Sequence, residues 1–373
     1  MNEPSAPAVP QPQQPLRPKV EELRLLEVAS ELLAAYKGGK LIRIAGVSTG
    51  RGQACATIAH ELPHASVCLW YLDLHYSELA SEHARLENGS VAENLAIDCK
   101  ADLELTDLDC TLVPLSSSGE QELARDLIQQ HYDALSLNRW MVVSVDNPKD
   151  RWVHEHLKTY EKSIRGRPFQ DAVVYIVEKS RPLKKRKDFS CQLAFRDCDE
   201  LIHLVTRPGV FSHRELDNGA RQLLDAVDVY PEARLIDIGC GSGSVALGVA
   251  KRDPSAHVRA VDSNARALWC VRQGIALNGL ENVSLELNAS GEYQDSGTFD
   301  MALANPPYFG NYLIAEKFLQ AAQRSLREGG RLVLVTKQPA WYQENLPRWF
   351  EDCEVFPSRR YHIASGVKAK TAG

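Results

Sequence analysis

Residues 234–262 read RLIDIGCGSGSVALGVAKRDPSAHVRAVD, and this stretch decides the fold of the chain. The apolar residues at 234–238 predict a buried strand, which runs into alternating glycines at positions 239, 241 and 243. A helix is predicted to begin at 244, and a second strand at 258–261 ends at Asp262. A strand, a glycine turn, a helix and a second strand together predict a βαβ unit that binds a ligand at its glycine turn.

The rest of the C-terminal half continues the same alternation of helices and strands. Helices are predicted at 265–278 and 315–326, strands at 283–287, 299–304 and 330–336, and a closing hairpin through Val355 and 361–367. Strands that alternate with helices of about 10–15 residues are typical of a parallel, doubly wound sheet. We therefore expect an α/β fold.

The N-terminal half looks like a second copy of this unit. After an amphipathic helix at 21–36, the stretch LIRIAGVSTGRGQACATIAHE from residue 41 resembles LIDIGCGSGSVALGVAKRD from residue 235. Further strands are predicted at 66–72, 111–115, 140–145 and 172–177, and Asp73 follows its strand as Asp262 does. The pattern predicts two tandem Rossmann-like domains, at residues 19–200 and 201–373. Residues 1–18, rich in Pro and Gln, are predicted to be a disordered tail.

The glycine spacing and one aspartate indicate the cofactor. A carboxylate at Asp262 can accept hydrogen bonds from both hydroxyls of a ribose, and the glycines let a ligand approach the backbone. A dinucleotide site favours a third glycine at position 244, which is Ser244 here. The spacing therefore favours S-adenosylmethionine (SAM). Asp237 is assigned to holding this cofactor; the alternative is that it caps the glycine turn.

The strand at 299–304 runs into Asn305-Pro306-Pro307-Tyr308, which we assign as the catalytic residues. The Asn305 oxygen and a proline carbonyl can accept hydrogen bonds from an amine and orient its lone pair toward the methyl group of SAM. The prolines keep the loop rigid, and Tyr308 offers a ring on which a planar substrate stacks. The predicted substrate is an exocyclic amine.

With these motifs, the chain resembles class I methyltransferases that carry the "methyltransferase small" domain, in particular ribosomal RNA guanine-N2 methyltransferases of the RsmC/RlmG type. The segment FSHRELDNG at 211–219 also resembles the entry segment of that family. The resemblance is specific over about residues 205–368. It departs from the family at Phe309, where the family usually has a histidine.

The resemblance implies roles for individual residues. The methionine and ribose of SAM would be lined by Asp237, Gly239, Gly241 and Gly243, the ribose held by Asp262, and the adenine placed near Ala289 and Ser290. The target base would be held by Asn305, Pro306 and Tyr308, with Phe211 and Gly219 shaping the pocket.

The N-terminal half lacks these working parts. Val113-Pro114-Leu115-Ser116 stands where the Asn-Pro-Pro-Tyr motif is expected, and the glycine turn at 46–52 does not match a P-loop. We interpret residues 19–200 as a degenerate, non-catalytic methyltransferase domain that docks RNA or supports the structure.

A basic run at 179–187 ends this half and is the candidate RNA contact. The net charge of the chain is −6, so RNA phosphates need a local patch, which we assign to Lys184, Lys185, Arg186 and Lys187. The alternative is a solvated loop. A base inside a duplex cannot reach the pocket, so the substrate nucleotide must be extruded or single-stranded.

The composition narrows the remaining classes. The nine cysteines form no CxxC pair, which favours reduced thiols and no metal site. No apolar run reaches the ~18 residues of a membrane span, and no signal peptide is recognised, so we expect a cytoplasmic protein. We also expect a monomer. The predicted function is SAM-dependent methylation of guanine N2 in ribosomal RNA, with ribosomal RNA or the small ribosomal subunit as partner. The alternatives are a protein glutamine methyltransferase, which also carries NPPY, and a non-catalytic SAM- or RNA-binding protein.

Overall fold

The computed structural model describes residues 17–35, 42–307 and 312–370, so residues 1–16 of the predicted tail at 1–18 lie outside the described residues, as does Tyr308. The first half contains helices α1 (Val20–Ala34), α2 (Gln53–Glu61), α3 (Leu74–Asn88), α4 (Gln121–Ala134) and α5 (Trp152–Leu157). Its strands are β1 (Arg43–Val47), β2 (Ser66–Tyr71), β3 (Leu95–Cys99), β4 (Leu108–Leu115), β5 (Leu135–Val145), β6 (Ile164–Pro168) and β7 (Val173–Glu178).

A hairpin of β8 (Cys191–Asp197) and β9 (Glu200–Thr206) leads into the second half. The helices that follow are α6 (Asn218–Asp225), α7 (Ser244–Arg252), α8 (Ala265–Asn278), α9 (Leu313–Ser325) and α10 (Pro339–Asn345), with a 3₁₀ turn at Leu346–Arg348. The strands are β10 (Arg234–Ile238), β11 (His257–Asp262), β12 (Val283–Leu287), β13 (Phe299–Ala304), β14 (Leu326–Thr336), β15 (Glu351–Ser358) and β16 (Tyr361–Val367).

The two halves have the same sheet topology, which confirms the predicted tandem α/β domains. The strand orders are β3-β2-β1-β4-β5-β7-β6 and β12-β11-β10-β13-β14-β16-β15. In each sheet the first five strands pair in parallel, and the sixth strand, β7 or β16, runs antiparallel to both of its neighbours. Each sheet is covered on both faces by apolar clusters. The sequence analysis did not predict strand β3, because its apolar run is short. In the structure only Leu95 of its five residues is buried.

Strand register shows which residues of the two halves are equivalent and corrects one assignment. Val47 pairs with Trp70 as Ile238 pairs with Val261, so the next residue, Tyr71, is the equivalent of Asp262. Asp73 is therefore not the counterpart of Asp262, although it was predicted to be. Its counterpart is Asn264, and both side chains cap helices: the Asp73 Oδ1 accepts from the His75 amide at 2.9 Å, and the Asn264 Oδ1 accepts from two amides of α8.

The glycine turn of the first half is filled by side chains of its own. The carboxylate of Glu22, which is 1% exposed, accepts hydrogen bonds from the Ser48 hydroxyl and, at 3.2 Å, from the Gly52 amide. The Tyr71 hydroxyl donates to the Gly50 carbonyl oxygen at 3.0 Å. Gly46 stands where Asp237 stands in the second half, and Pro114 where Asn305 stands. The first half thus has neither the carboxylates nor the amide of the second.

The two halves meet through equivalent segments, which follow β2 in the first half and β11 in the second. Asp73 and Asn264 form an antiparallel bridge. The Leu74 amide donates to the Ser263 carbonyl at 2.8 Å, and the Ala265 amide donates to the Leu72 carbonyl at 2.8 Å. These two hydrogen bonds join equivalent residues in reciprocal order, as in an isologous dimer interface.

Buried ion pairs reinforce this interface. Arg266 on α8 is fully buried, and its guanidinium lies 2.9 Å from the Asp126 carboxylate on α4. It also donates to the carbonyl of Ala101 in the first half. Arg207 forms two hydrogen bonds, of 2.9 and 2.6 Å, with Asp102. Two cations and two anions balance each other here, so loss of one carboxylate would leave a buried charge uncompensated.

The hairpin β8–β9 places the boundary between the halves. The predicted boundary at 200/201 falls at the start of β9, yet Phe195, Ile202 and Leu204 are buried in the core of the second half. Both strands therefore pack with the C-terminal core, and we propose that this domain begins near residue 190.

Across the described ranges, no helix combines the length and apolar character needed to cross a membrane.

Candidate cofactor and substrate site

The glycine loop after β10 leaves room for a ligand at one position. Gly239, Gly241 and Gly243 all have positive φ, at 72°, 55° and 85°. A Cβ at Gly239 would lie 2.8 Å from Phe318, and one at Gly243 would lie 2.9 Å from Val271, so these two glycines allow close packing. A Cβ at Gly241 would have no heavy atom within 4 Å. The backbone at Gly241 therefore borders open space in which a ligand can approach.

Asp262, at the end of β11, supports this loop. Its Oδ2 accepts from the Gly241 amide at 2.8 Å, and its Oδ1 accepts from the Asn264 amide at 2.8 Å. Burial raises the pKa of this carboxyl to about 6, although the two amides act in the opposite direction. Asp262 and Gly241 therefore lie side by side at the carboxyl ends of adjacent strands, as a ribose-binding pair requires.

Asp237 caps the helix that follows the loop. Its carboxylate is 3% exposed and accepts from the Ala246 amide, in the first turn of α7, at 3.0 Å. Burial raises its pKa to about 7, and the negative charge of Asp262 adds to this shift. The alternative given above was a cap of the glycine turn, whereas this contact is with the first turn of α7. The role of Asp237 in holding the cofactor stays a prediction.

Asn305 is held in one orientation at the end of β13. Its Nδ2 donates to the Asp217 Oδ2 at 2.6 Å, and the same oxygen accepts from the Ala220 amide at 2.8 Å as the N-cap of α6. A carboxylate only accepts hydrogen bonds, so the amide nitrogen must face Asp217 and Oδ1 is the acceptor for other groups. A Cβ at Gly219 would lie only 3.0 Å from this Oδ1.

Asp217 was not predicted as a site residue. It belongs to the 211–219 segment that resembles the family entry segment, but its role depends on a contact with a residue 88 positions away. Gly219 was predicted to shape the pocket, and it lies against Asn305 and Asp217. Phe211 is 59% exposed.

The rest of the Asn-Pro-Pro-Tyr motif is described in part. Pro306 is buried and Pro307 is half-buried, while Tyr308 and Phe309 lie outside the described residues. Tyr312, the first residue described after the motif, stacks on Trp341 with ring centroids 4.9 Å apart and planes 1° apart.

Ala289 and Ser290 lie in the loop after β12, next to Asp262. The Asn288 amide donates to the Asp262 carbonyl at 3.1 Å. The Asn288 side chain in turn accepts from the Ser290 and Gly291 amides, each at 3.0 Å. Asn288 was not predicted, although it shapes the loop that was assigned to the adenine.

The basic run at 179–187 contains two kinds of cation: side chains that bind backbone carbonyls and side chains that are exposed to solvent. Lys179 is 5% exposed and donates to the carbonyls of Asp133 and Leu135, so it does not face solvent as the run suggested. Arg181 donates twice to the Tyr160 carbonyl. The four cations at 184–187 are exposed. Three of them border a groove of about 470 Å³, together with Arg125, Tyr132, His156, Tyr160, Arg181 and Phe189.

The part of the chain that the structure describes contains no cluster of histidine, cysteine or acidic residues arranged for a metal ion.

Comparison with known proteins finds similarity in the second half. Residues 201–365 match the family model described as "Methyltransferase small domain". Two proteins named ribosomal RNA small subunit methyltransferase C are similar. The one from Ectopseudomonas mendocina (strain ymp) is 36% identical over 172 residues, which is 45% of this chain and 50% of the relative. The one from Aeromonas hydrophila subsp. hydrophila is 35% identical over 175 residues, 46% of this chain and 49% of the relative. The chain thus spans about half the length of the curated relatives it matches.

One solved structure resembles nearly the whole chain. It is described as the T. Thermophilus 16S rRNA N2 G1207 methyltransferase (RsmC) in complex with AdoMet and guanosine. The TM-score is 0.73 with 17% sequence identity, over 91% of each chain. At this identity the match shows the fold, and it extends over both halves.

Proposed function

We propose that this chain, whose residues 201–365 match the family model of the methyltransferase small domain, is a SAM-dependent methyltransferase of guanine N2 in ribosomal RNA. The observation that carries the proposal is the Asn305 amide, locked by Asp217 at the carboxyl edge of the sheet that also bears the glycine loop. The relatives named as ribosomal RNA small subunit methyltransferases support the substrate class.

The residues around the glycine loop fit SAM. Open space at Gly241 admits a ligand against the backbone, and Asp262 beside it would accept hydrogen bonds from the ribose hydroxyls. The loop ordered by Asn288, with Ala289 and Ser290, would border the adenine. When bound, SAM supplies a methyl group on a sulfonium ion.

Asn305 would orient the amine of the substrate. Its Oδ1 would accept an N–H of guanine N2, which directs the nitrogen lone pair toward the methyl group. Positive charge develops on the amine during transfer, and the Asn305 oxygen stabilises it. The Asp217 carboxylate, which accepts from the Asn305 nitrogen, polarises the amide and makes its oxygen a better acceptor. The proton then leaves to water.

In this proposal the first half docks the RNA. Its glycine turn is occupied by Glu22 and Tyr71, which argues against a second SAM site there. The exposed cations at 184–187 and the groove beside them would contact phosphates. We expect the enzyme to act as a cytoplasmic monomer, with ribosomal RNA or the small ribosomal subunit as its partner.

Asn305→Ala tests the proposal. We expect methyl transfer from labelled SAM to ribosomal RNA of a methylation-depleted lysate to fall at least about 100-fold, because an oriented acceptor is lost. SAM affinity, measured by calorimetry, should stay within about twofold. Asn147→Ala, at the equivalent edge of the first half, is the matched control and should change neither quantity. Label that enters protein instead of RNA would refute the substrate, and unchanged transfer by the Asn305 variant would refute the site.

A further inference from the structure

A second pocket, lined by cationic residues, lies next to the hydrogen-bonded pair of Asn305 and Asp217. Its volume is about 410 Å³, and it is lined by Asn218, Gln222, Lys337, Arg359, Arg360 and Tyr361. Three of these six residues are cations and none is acidic. A pocket of this charge is suited to an anion.

The position of the pocket follows from chain connectivity and strand register. Asn218 lies between Asp217 and Gly219, both of which contact Asn305 or would contact it through a Cβ. Ala304 pairs with Leu334 on the neighbouring strand β14, so Lys337 follows three residues later at the same edge of the sheet. The glycine loop lies across β13 from β14. The cationic pocket is therefore on the substrate side of Asn305, away from the proposed SAM site.

The hairpin β15–β16 contacts α6 and the residues after β14 at this pocket. The Ser358 hydroxyl donates to Gln222 Oε1 at 2.8 Å, which ties the end of β15 to α6. The Lys337 Nζ lies 4.9 Å from the centre of the Tyr361 ring. Arg359 and Arg360, by contrast, are exposed and form no ion pair with any residue that the structure describes.

Arg359 occupies a backbone position that favours glycine. Ser358 pairs with Tyr361, so Arg359 and Arg360 form a two-residue hairpin turn. The φ of Arg359 is 52°, and two-residue turns with positive φ at this first position usually have glycine there. A strained residue with a charged side chain at a pocket is a feature that often marks a functional site.

We propose that this pocket binds a phosphodiester of the RNA backbone next to the nucleotide whose base is presented to Asn305. The inference rests on the proposed function, which brings RNA to this edge of the sheet. A flipped nucleotide remains attached to its backbone, so the phosphates on either side of it must lie close to the base pocket. The guanidinium of arginine can donate two parallel hydrogen bonds to phosphate oxygens, and the pocket has Arg359 and Arg360 for this, with Lys337 as a third positive charge.

The test is the double variant Arg359→Gly/Arg360→Ser, which removes two cations and places a permissive residue at the positive φ. RNA binding is measured with a single-stranded, guanine-containing oligonucleotide across a series of salt concentrations. We expect affinity to fall at least about tenfold at 0.1 M salt, and the slope of log K against log salt to decrease by about 1.4, from two lost phosphate contacts on a single strand. SAM affinity and the thermal midpoint should be retained.

The matched control is Arg165→Ser/Arg272→Ser, which removes two exposed arginines elsewhere. An unchanged salt slope in the pocket variant, or a decrease no larger than in the control, would overturn the proposal. So would loss of SAM affinity in the pocket variant, or a wild-type protein that does not bind the oligonucleotide. If the wild type binds RNA without methylating it, and the pocket variant alone loses the slope, the phosphate pocket stands while the proposed reaction fails.

Discussion

Gly219→Ala tests whether the orientation of Asn305 by Asp217 matters for catalysis. The backbone of Gly219 can accept an alanine, but the added methyl group would press on Asp217 and Asn305. The residue lies in the first turn of α6 and does not have a positive φ. In a helix, alanine is favoured over glycine by about 1 kcal/mol. A Cβ at this position, however, would lie 2.8 Å from Asp217 Oδ2 and 3.0 and 3.2 Å from the two Asn305 amide atoms.

Relief of these contacts requires the Asp217–Asn305 pair to move by about 0.5 Å, since non-bonded heavy atoms prefer about 3.5 Å. A misplacement of about 1 Å in a catalytic constellation reduces the rate about 100-fold, so half of that displacement predicts about tenfold. The corresponding loss of transition-state stabilisation is about 1.4 kcal/mol. Disturbing the Asp217 N-cap costs about 1 kcal/mol, which offsets the gain in helix propensity. Global stability should therefore change little.

The assay for Gly219→Ala is single-turnover methyl transfer at saturating SAM and RNA, with SAM affinity measured separately. We expect the rate to fall about tenfold while SAM affinity is retained. Gly166→Ala is the matched control, because its Cβ would lie 3.6 Å from the Tyr175 ring, an ordinary contact. A Gly219 variant with the full wild-type rate would show that the orientation of Asn305 by Asp217 does not limit catalysis, and the reasoning would fail.

Three further predictions concern stability and RNA binding. Asp237→Asn should raise the thermal midpoint of the ligand-free protein at pH 8 but not at pH 4. Burial raises the pKa of Asp237 from 3.8 to about 7 in the folded protein. Because the carboxyl must therefore ionise in the interior as pH rises from about 4 to 7, the wild-type protein loses up to about 4 kcal/mol of stability over that range. Equal midpoints of variant and wild type at pH 8 would contradict it. Asp126→Ala should lower the free energy of unfolding by about 3–5 kcal/mol in denaturant titrations, because Arg266 would stay buried without its partner; a loss below 1 kcal/mol would show that the interface tolerates the charge. Replacing the four cations at 184–187 with serine should reduce the salt slope of RNA binding by about 3 and leave SAM affinity unchanged; an unaltered slope would identify them as a solvated loop.

The parallel topology and the main motifs could be read from the sequence because they are local. The strand periods, the glycines at 239, 241 and 243 and the residues that follow β13 are contiguous, and each is limited by backbone sterics to few conformations. The duplication was visible for the same reason. The family match and the structural comparison agree with this part of the prediction.

Contacts between distant segments were not visible in the same way. Asp73 resembles Asp262 in sequence, yet strand register makes Tyr71 the equivalent residue and Asp73 a helix cap. Register depends on the pairing of whole strands. Tyr71 and Asp73 are two residues apart, so their side chains alternate onto the same face of a strand, and a comparison of sequence patterns does not distinguish the two positions. Lys179 looked like part of an RNA-binding run, but two carbonyls bind it in the interior.

The sequence by itself therefore determined the two α/β halves, the glycine loop and the Asn-Pro-Pro motif, because each follows from the period and residue types of one short segment. Only the tertiary structure decided that Asp217 orients Asn305, that the halves join through reciprocal hydrogen bonds, and that Arg359 and Arg360 lie beside the substrate side of the site. The physical reason is that these contacts join residues far apart in the chain, whose proximity is set by the packing of the complete sheets.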